Sequence, residues 1–125
     1  MVRQQKTGIE LLIPVHPILA EIIAKTPNGH LTFLTTQYKR GFAGVSFGHW
    51  FRKRCNEAGL PHCSAHGLRK AAARRLADAG ASMHEIAAVT GHASLKEVQR
   101  YTRGADQRRL ARAAIAKVKP RTPSD

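Results

Sequence analysis

The chain has 125 residues, with 21 lysines and arginines against 8 aspartates and glutamates, which gives a formal net charge of +13 at pH 7. This length predicts one domain with its own core, and the basic excess favours a nucleic-acid-binding protein, although composition alone leaves open a basic protein without that role. Two cysteines are too few for a disulfide scaffold, and no apolar run is long enough for a signal peptide or membrane span, so the predicted compartment is the cytoplasm.

The N-terminal segment predicts a β-hairpin. A polar turn around Lys6 and Gly8 separates a strand that begins almost at Met1 from the aliphatic run 9–13. Because a two-stranded hairpin is marginally stable by itself, we expect either that it packs on the helices or that further strands precede it.

Two helices and a short strand are predicted in the rest of the first half. Pro17 fits the first position of a helix that stops at the Thr-Pro-Asn-Gly sequence 26–29, and a strand is expected over 31–34. Ser46 is expected to cap a second helix that ends at Gly59. The apolar face of that helix consists of Phe47, Trp50, Phe51 and Cys55.

Four more helices are predicted in the second half. The first begins at Ser64 and runs to about residue 79. The next two begin at capping boxes, which pair Ser82 with Glu85 and Ser94 with Glu97. Gly91 ends one of these helices, Gly104 follows the end of the other, and Asp106 caps a final helix over 107–118. Residues 120–125 are expected to form a disordered tail.

Four side chains in this second half form a set suited to phosphate chemistry: His66, Arg69, His92 and Tyr101. A phenol can attack phosphorus, arginine can hold two phosphate oxygens through its planar fork, and imidazoles can bind oxygens or move protons. Each residue by itself is more often a surface or core side chain. Their order and spacing indicate a function, because His66 and Arg69 share one helix face and Tyr101 follows His92 by nine residues.

These motifs resemble the tyrosine recombinases, the phage-integrase family. The sequence His-Gly-Leu-Arg at 66–69 matches the family's H-x-x-R element, and Thr-Gly-His at 90–92 matches its leucine- or threonine-Gly-His turn. Tyr101 matches the nucleophile, and Lys6 lies where the family has a lysine in a β-hairpin. The resemblance implies an α+β, mostly helical fold: part of an integrase-like catalytic domain with a small N-terminal hairpin or sheet.

The family also implies a role for each matched residue. Tyr101 would attack the scissile phosphate of double-stranded DNA and leave a 3′-phosphotyrosyl bond, as in site-specific integration or excision. Arg69 and His92 would hold the non-bridging oxygens, and His66 would bind the phosphate and is a candidate to deprotonate Tyr101. Lys6 would protonate the leaving 5′-oxygen. No metal or other cofactor is implied.

One catalytic residue of the family has no counterpart here, an arginine that precedes the lysine hairpin. We therefore expect residues 1–119 to be the C-terminal part of a catalytic domain, without the upstream arginine-bearing helix and the N-terminal DNA-clamping domain. Such a chain is expected to bind DNA but to cleave it weakly or not at all by itself, since losing one oxyanion donor costs about two to three orders of magnitude in rate.

Three other interpretations stay open. Residues 82–101 also fit a non-catalytic helix-turn-helix protein that presents Lys96, Gln99 and Arg100 to DNA. A type IB topoisomerase shares the tyrosine chemistry. A zinc site would have to use Cys55, His62, Cys63 and His66, whose spacing matches no common pattern.

Further DNA and protein contacts are expected outside the catalytic set. Candidate phosphate-binding residues are Lys39, Arg40, Lys70, Arg74 and Arg75. The C-terminal helix has an apolar side, and in the family the segment beyond the tyrosine often docks on a neighbouring protomer. Two interpretations therefore stay open: a homo-oligomer through this helix, or a helix that folds back on its own core. No membrane partner is expected.

Overall fold

The structure is a computed structural model that describes residues 1–4, 7–27 and 29–121. Within these ranges the elements are β1 (Val2–Arg3), β2 (Glu10–Leu11), α1 (Pro17–Ala24), α2 (Ser46–Glu57), α3 (Ala65–Asp78), α4 (Met83–Thr90) and α5 (Leu95–Ala116). This confirms a mostly helical α+β fold with a small N-terminal hairpin. The chain divides into two compact units, one of Met1–Leu11 with Arg69–Asp125 and one of Leu12–Leu68.

The hairpin of the first unit is antiparallel and short. Val2 pairs with Leu11 and Arg3 pairs with Glu10. The ladder closes where the Gln4 amide N–H donates to the Ile9 carbonyl at 2.9 Å. Residues 5 and 6, which include the predicted Lys6, lie outside the described residues.

The core of the first unit lies between its three helices. Ala73 and Ala77 of α3 are buried against Ile86 of α4 and Val98 of α5. Two alanines one turn apart let the helix backbones approach closely, and burial of a side chain such as Ile86 contributes roughly 1.5–3 kcal/mol to stability. This small core fixes the two helices and the turn that carry the candidate site.

The ends of α4 follow the sequence closely. The Ser82 hydroxyl accepts from the Glu85 N–H at 3.1 Å, and the Glu85 carboxylate accepts from the Ser82 N–H at 2.9 Å, which confirms the first capping box. The second box is wrong: Ser94 is the N-cap of α5, but its side chain makes no capping hydrogen bond. Glu97 still favours the helix start, because a carboxylate in the first turn interacts well with the helix dipole.

The predicted break at Gly104 is also wrong, because α5 runs through it as one helix of 22 residues. Val98 and Thr102 are buried and Ala105 is half-buried, so one face of α5 keeps packing on both sides of the glycine. This burial outweighs the roughly 1 kcal/mol that an interior glycine costs a helix. The last four residues of the predicted tail, 122–125, lie outside the described residues.

The second unit is built on an aromatic cluster. Phe47 contacts Phe42 with ring centroids 5.4 Å apart and Phe51 at 5.9 Å, and Trp50 lies 5.2 Å from Phe42. Cys55 is the buried residue of α2. These contacts confirm the predicted apolar face, although Trp50 remains 43% exposed.

Two local predictions in this unit are wrong. Val45, not Ser46, is the N-cap of α2, and the Ser46 hydroxyl donates to the Ala43 carbonyl at 2.5 Å. Residues 31–34 form bends rather than a strand, and the Thr32 hydroxyl donates to the Leu34 carbonyl at 3.0 Å. Short polar side chains that bond locally to the backbone compete with regular structure in this way.

None of the helices described is long and apolar enough to cross a membrane.

Candidate active site

The turn between α4 and α5 requires a glycine. Gly91 caps α4 in the left-handed conformation, with φ of 72°, and is buried. A Cβ at this position would lie 2.8 Å from Cδ of Gln4 and 2.9 Å from Cδ1 of Leu11, both in the hairpin. The missing side chain therefore lets the hairpin pack directly on the turn that leads to His92.

A long-range hydrogen bond fastens the hairpin to this turn. The Gln4 side-chain Nε2 donates to the Thr90 carbonyl oxygen at 2.8 Å, across 86 residues of sequence. Sequence reasoning did not single out Gln4, because nothing local identifies its distant partner. The hairpin is thus attached to the turn that leads to His92. Lys6 lies outside the described residues.

The Thr90 side chain contacts the ring of His92. Its Oγ1 lies 2.5 Å from Nδ1 of His92 and 2.9 Å from the Ile86 carbonyl oxygen, to which it donates. Thr90 is 7% exposed, so this hydroxyl bonds inside the protein rather than to solvent. The sequence placed Thr90 in the Gly-His motif, but gave no role to its hydroxyl.

Tyr101 lies beside His92. The centroids of the two rings are 6.2 Å apart, and the ring planes are inclined at 47°. Tyr101 is half-buried against the core of the first unit and lies inside α5, which does not break before Gly104 as predicted. Two of the sequence-predicted catalytic residues are therefore brought together by the α4–α5 turn.

Arg69 begins the buried face of α3 in the first unit. Ala73 and Ala77 follow it at steps of four residues and belong to the core. Nε of Arg69 is buried, and among the described residues it is the one buried side-chain nitrogen or oxygen without a hydrogen-bond partner. A buried donor without an acceptor costs about 1–3 kcal/mol, and an anionic oxygen would relieve that cost.

His66 lies in the first turn of α3, within the second unit, and its side chain is exposed. Ser64 stabilises this helix start as predicted, since its hydroxyl accepts from the Gly67 N–H at 3.3 Å. His66 and Arg69 are three residues apart in one helix, which places them on the same face.

All five candidate DNA-contact residues are exposed: Lys39, Arg40, Lys70, Arg74 and Arg75. The three on α3 belong to the first unit, where their exposure contrasts with the burial of Ala73 and Ala77. Lys39 and Arg40 belong to a turn of the second unit, in which Lys39 has a positive φ of 58°.

The described residues contain no group of three or more histidine, cysteine, aspartate or glutamate side chains that could hold a metal ion. The zinc interpretation of Cys55, His62, Cys63 and His66 therefore has no structural support.

An open cavity of about 360 Å³ lies in the first unit between the end of α3 and α5, and its lining includes none of the four described candidate catalytic residues.

Comparison with known proteins defines the class. The model of the phage integrase family matches residues 2–108, most of the chain. The chain therefore belongs to the phage integrase family, as its motifs indicated. No solved structure matches it.

The curated relatives are tyrosine recombinases. The chain is 46% identical over 50 residues to tyrosine recombinase XerC of Bifidobacterium longum strain DJO10A, covering 40% of this chain and 14% of that protein. It is 38% identical over 63 residues to tyrosine recombinase XerC of Corynebacterium glutamicum, covering 50% of this chain and 20% of that protein. The matched parts are thus a small share of these relatives.

Proposed function

We propose that residues 1–119 form the C-terminal part of the catalytic domain of a site-specific tyrosine recombinase. The protein would act on double-stranded DNA, cleaving and rejoining strands through a 3′-phosphotyrosyl bond at Tyr101, as in integration or excision. Its proposed place of action is the cytoplasm, at the nucleoid.

The observation that carries this proposal is the pairing of His92 and Tyr101, whose ring centroids are 6.2 Å apart. An imidazole beside a phenol can bind the phosphate that the phenol attacks, or exchange a proton with it. Both residues belong to the family motif, His92 in its Gly-His turn and Tyr101 as its tyrosine.

The roles of the other residues follow from their chemistry. Arg69 supplies a buried Nε–H donor that lacks a protein acceptor among the described residues, and a non-bridging phosphate oxygen would satisfy it. His66 would bind the same phosphate and assist removal of the Tyr101 proton, while Lys6 would give a proton to the leaving 5′-oxygen. The bond energy is kept in the phosphotyrosine, so the reaction needs no nucleotide and no metal.

The relatives matched by this chain are much longer, since it covers 14% to 20% of their lengths. An arginine that the family places before the lysine hairpin has no counterpart in these 125 residues. Residues 1–125 alone would therefore bind DNA weakly and cleave it slowly, because a donor to the non-bridging oxygens is missing.

A covalent trapping experiment tests the chemistry. The chain is incubated with nicked duplexes of randomised sequence, from which the short 5′-hydroxyl fragment diffuses away after cleavage, and adducts are separated on a denaturing gel and sequenced. We expect a slow adduct that Tyr101→Phe abolishes. No adduct after prolonged incubation would contradict the proposed cleavage, whereas a fast and complete reaction would contradict the proposed weak activity.

DNA binding by the basic surface is tested separately. We propose phosphate contacts by Lys39, Arg40, Lys70, Arg74 and Arg75. Charge-reversed variants of these residues should weaken binding to any duplex, and the affinity of the unmodified chain should fall steeply with salt because counterions are released. An affinity that hardly changes between low and physiological salt contradicts the proposal.

A second candidate function is a non-catalytic helix-turn-helix protein. The observation in its favour is that α4 and α5 pack together across a short turn, with Lys96, Gln99 and Arg100 exposed on α5. It predicts sequence-specific binding that Tyr101→Phe leaves intact, with no adduct from any substrate. The trapping experiment therefore separates the two functions.

Self-association through the C-terminal part of α5 completes the proposal. Leu110 is 62% exposed and Ile115 is 74% exposed, so this part of the helix presents apolar side chains to solvent. Light scattering should detect an oligomer that Leu110→Glu converts to monomer. A monomer at high concentration would contradict this part of the proposal.

A further inference from the structure

The Thr90 hydroxyl makes two contacts that together constrain the proton of His92. Thr90 Oγ1 lies 2.9 Å from the Ile86 carbonyl oxygen and 2.5 Å from Nδ1 of His92. A hydroxyl has one proton, and a carbonyl oxygen can only accept. If the hydroxyl donates to Ile86, the bond to His92 requires Nδ1 to carry a proton.

We propose that Thr90 is a positioning residue that holds His92 as the Nδ1–H tautomer. In a histidine with Nδ1 engaged in this way, Nε2 is the nitrogen that meets a phosphate or another reacting group. In the neutral ring, Nε2 then carries the lone pair. In the imidazolium ion, Nε2 carries the second proton. This assignment rests on the proposed function only for its effect on catalysis, since the tautomer itself is a property of the protein without DNA.

Burial and backbone geometry support this role. Thr90 is 7% exposed, so water competes little for its hydroxyl. Its backbone is held from both sides: it ends α4, and its carbonyl oxygen accepts from Gln4 Nε2 at 2.8 Å. The left-handed Gly91, with φ of 72°, then returns the chain so that the His92 ring reaches the hydroxyl two residues earlier.

The consequence for the proposed chemistry is a defined direction for the ring. A donor to a non-bridging oxygen must be Nε2–H of the protonated ring, and a proton acceptor must be Nε2 of the neutral ring. Loss of the Thr90 hydroxyl would remove the acceptor for Nδ1–H, so this contact would no longer favour the Nδ1–H tautomer over the Nε2–H tautomer. An incorrect tautomer or orientation lowers catalysis even when the histidine itself is present.

The tautomer is measured by ¹⁵N nuclear magnetic resonance on the full chain labelled at histidine. In a neutral ring, the nitrogen that carries the proton and the nitrogen that carries the lone pair have well-separated ¹⁵N chemical shifts, so the spectrum is recorded at a pH where the rings are neutral. The His92→Gln variant identifies the His92 signals among those of the seven histidines. We expect Nδ1–H in the unmodified chain, loss of that preference in Thr90→Val and its retention in Thr90→Ser. An Nε2–H ring in the unmodified chain, an unchanged ring in Thr90→Val, or a Thr90→Ser variant that behaves like Thr90→Val would each overturn the proposal.

Adduct formation on nicked duplexes measures the catalytic effect. Thr90→Val should slow it by roughly 10- to 100-fold, a loss similar to that from removing the groups that orient a ligating histidine, while Thr90→Ser keeps most of the rate. A normal rate in Thr90→Val despite a changed tautomer would overturn the positioning role. If the unmodified chain forms no adduct, the proposed function fails, and the resonance measurement still decides the tautomer.

Discussion

The side chain of Gln4 donates a 2.8 Å hydrogen bond to the carbonyl oxygen of Thr90 and so connects the N-terminal hairpin to the end of α4. The two hairpin strands have two residues each, which is too short for independent stability. The hairpin therefore depends on its contacts with the α4–α5 turn, and the hydrogen bond from Gln4 to Thr90 is one of these contacts.

Replacing Gln4 should detach the hairpin without unfolding the helices. Gln4→Leu removes the donor to Thr90 and should reduce the free energy of unfolding by about 1 kcal/mol. Hydrogen exchange of the amides in residues 1–11 should accelerate more than exchange in α3. Gln107→Leu, at an exposed position of α5, is the matched control and should leave the hairpin unchanged. Equal acceleration in both variants would contradict the role given to Gln4.

A side chain at Gly91 should be poorly tolerated. Gly91→Ala places a Cβ in a left-handed conformation, which costs about 1–2 kcal/mol, and also displaces the Gln4 and Leu11 side chains. We expect a lower melting temperature, together with faster exchange in the hairpin. A melting temperature equal to that of the unmodified chain would show that the turn accepts a side chain.

The same substitution at Gly104 should have the opposite effect. Gly104 lies within α5, and a Cβ there would meet only Nη1 of Arg108 at 3.7 Å, an ordinary contact. Because alanine is favoured over glycine inside helices by roughly 0.5–1 kcal/mol, Gly104→Ala should raise the free energy of unfolding by that amount. Chemical denaturation measures the change in the free energy of unfolding for both alanine variants, which should fall in Gly91→Ala and rise in Gly104→Ala. Destabilisation by Gly104→Ala would argue against a continuous α5.

Arg69 should be sensitive even to lysine. Arg69→Lys keeps the positive charge but loses the planar fork and the buried Nε–H donor, so covalent adduct formation should fall by about two to three orders of magnitude. Arg52→Lys, at an exposed position of α2 outside the proposed DNA-contact residues, is the control and should change the rate little. Rates that fall equally in both variants would indicate general electrostatics rather than a specific contact.

The proposed proton transfer from Lys6 can be isolated with a modified substrate. A DNA strand with sulfur in place of the leaving 5′-oxygen releases a thiolate, which departs without needing a proton. Lys6→Ala should therefore slow cleavage of ordinary DNA strongly and of the sulfur-containing DNA weakly. The same loss on both substrates would assign Lys6 to DNA binding.

Local sequence signals determined much of the fold. The pairing of Ser82 with Glu85 formed as predicted, since capping groups lie within one turn of their partners. Gly91 ended α4 because glycine adopts the left-handed conformation without the steric cost of a Cβ. The family motif likewise indicated that His92 and Tyr101 would be neighbours.

Features that depend on packing were missed. Gly104 is unfavourable in a helix by propensity, but α5 is continuous through it because Thr102 is buried and Ala105 is half-buried on either side. The bond between Gln4 and Thr90 needs two segments that are 86 residues apart, so no window of sequence contains it. The contact of Thr90 with His92 depends on which way a hydroxyl points, which the spacing of the motif does not determine.

The continuity of α5 has a mechanical consequence. A helix of 22 residues is a rod about 33 Å long, and Tyr101 lies within it rather than on a loose connection. A DNA strand joined to that tyrosine would be joined to the rod, so a pull or torque on the strand would reach Val98 and Thr102, which are anchored in the core.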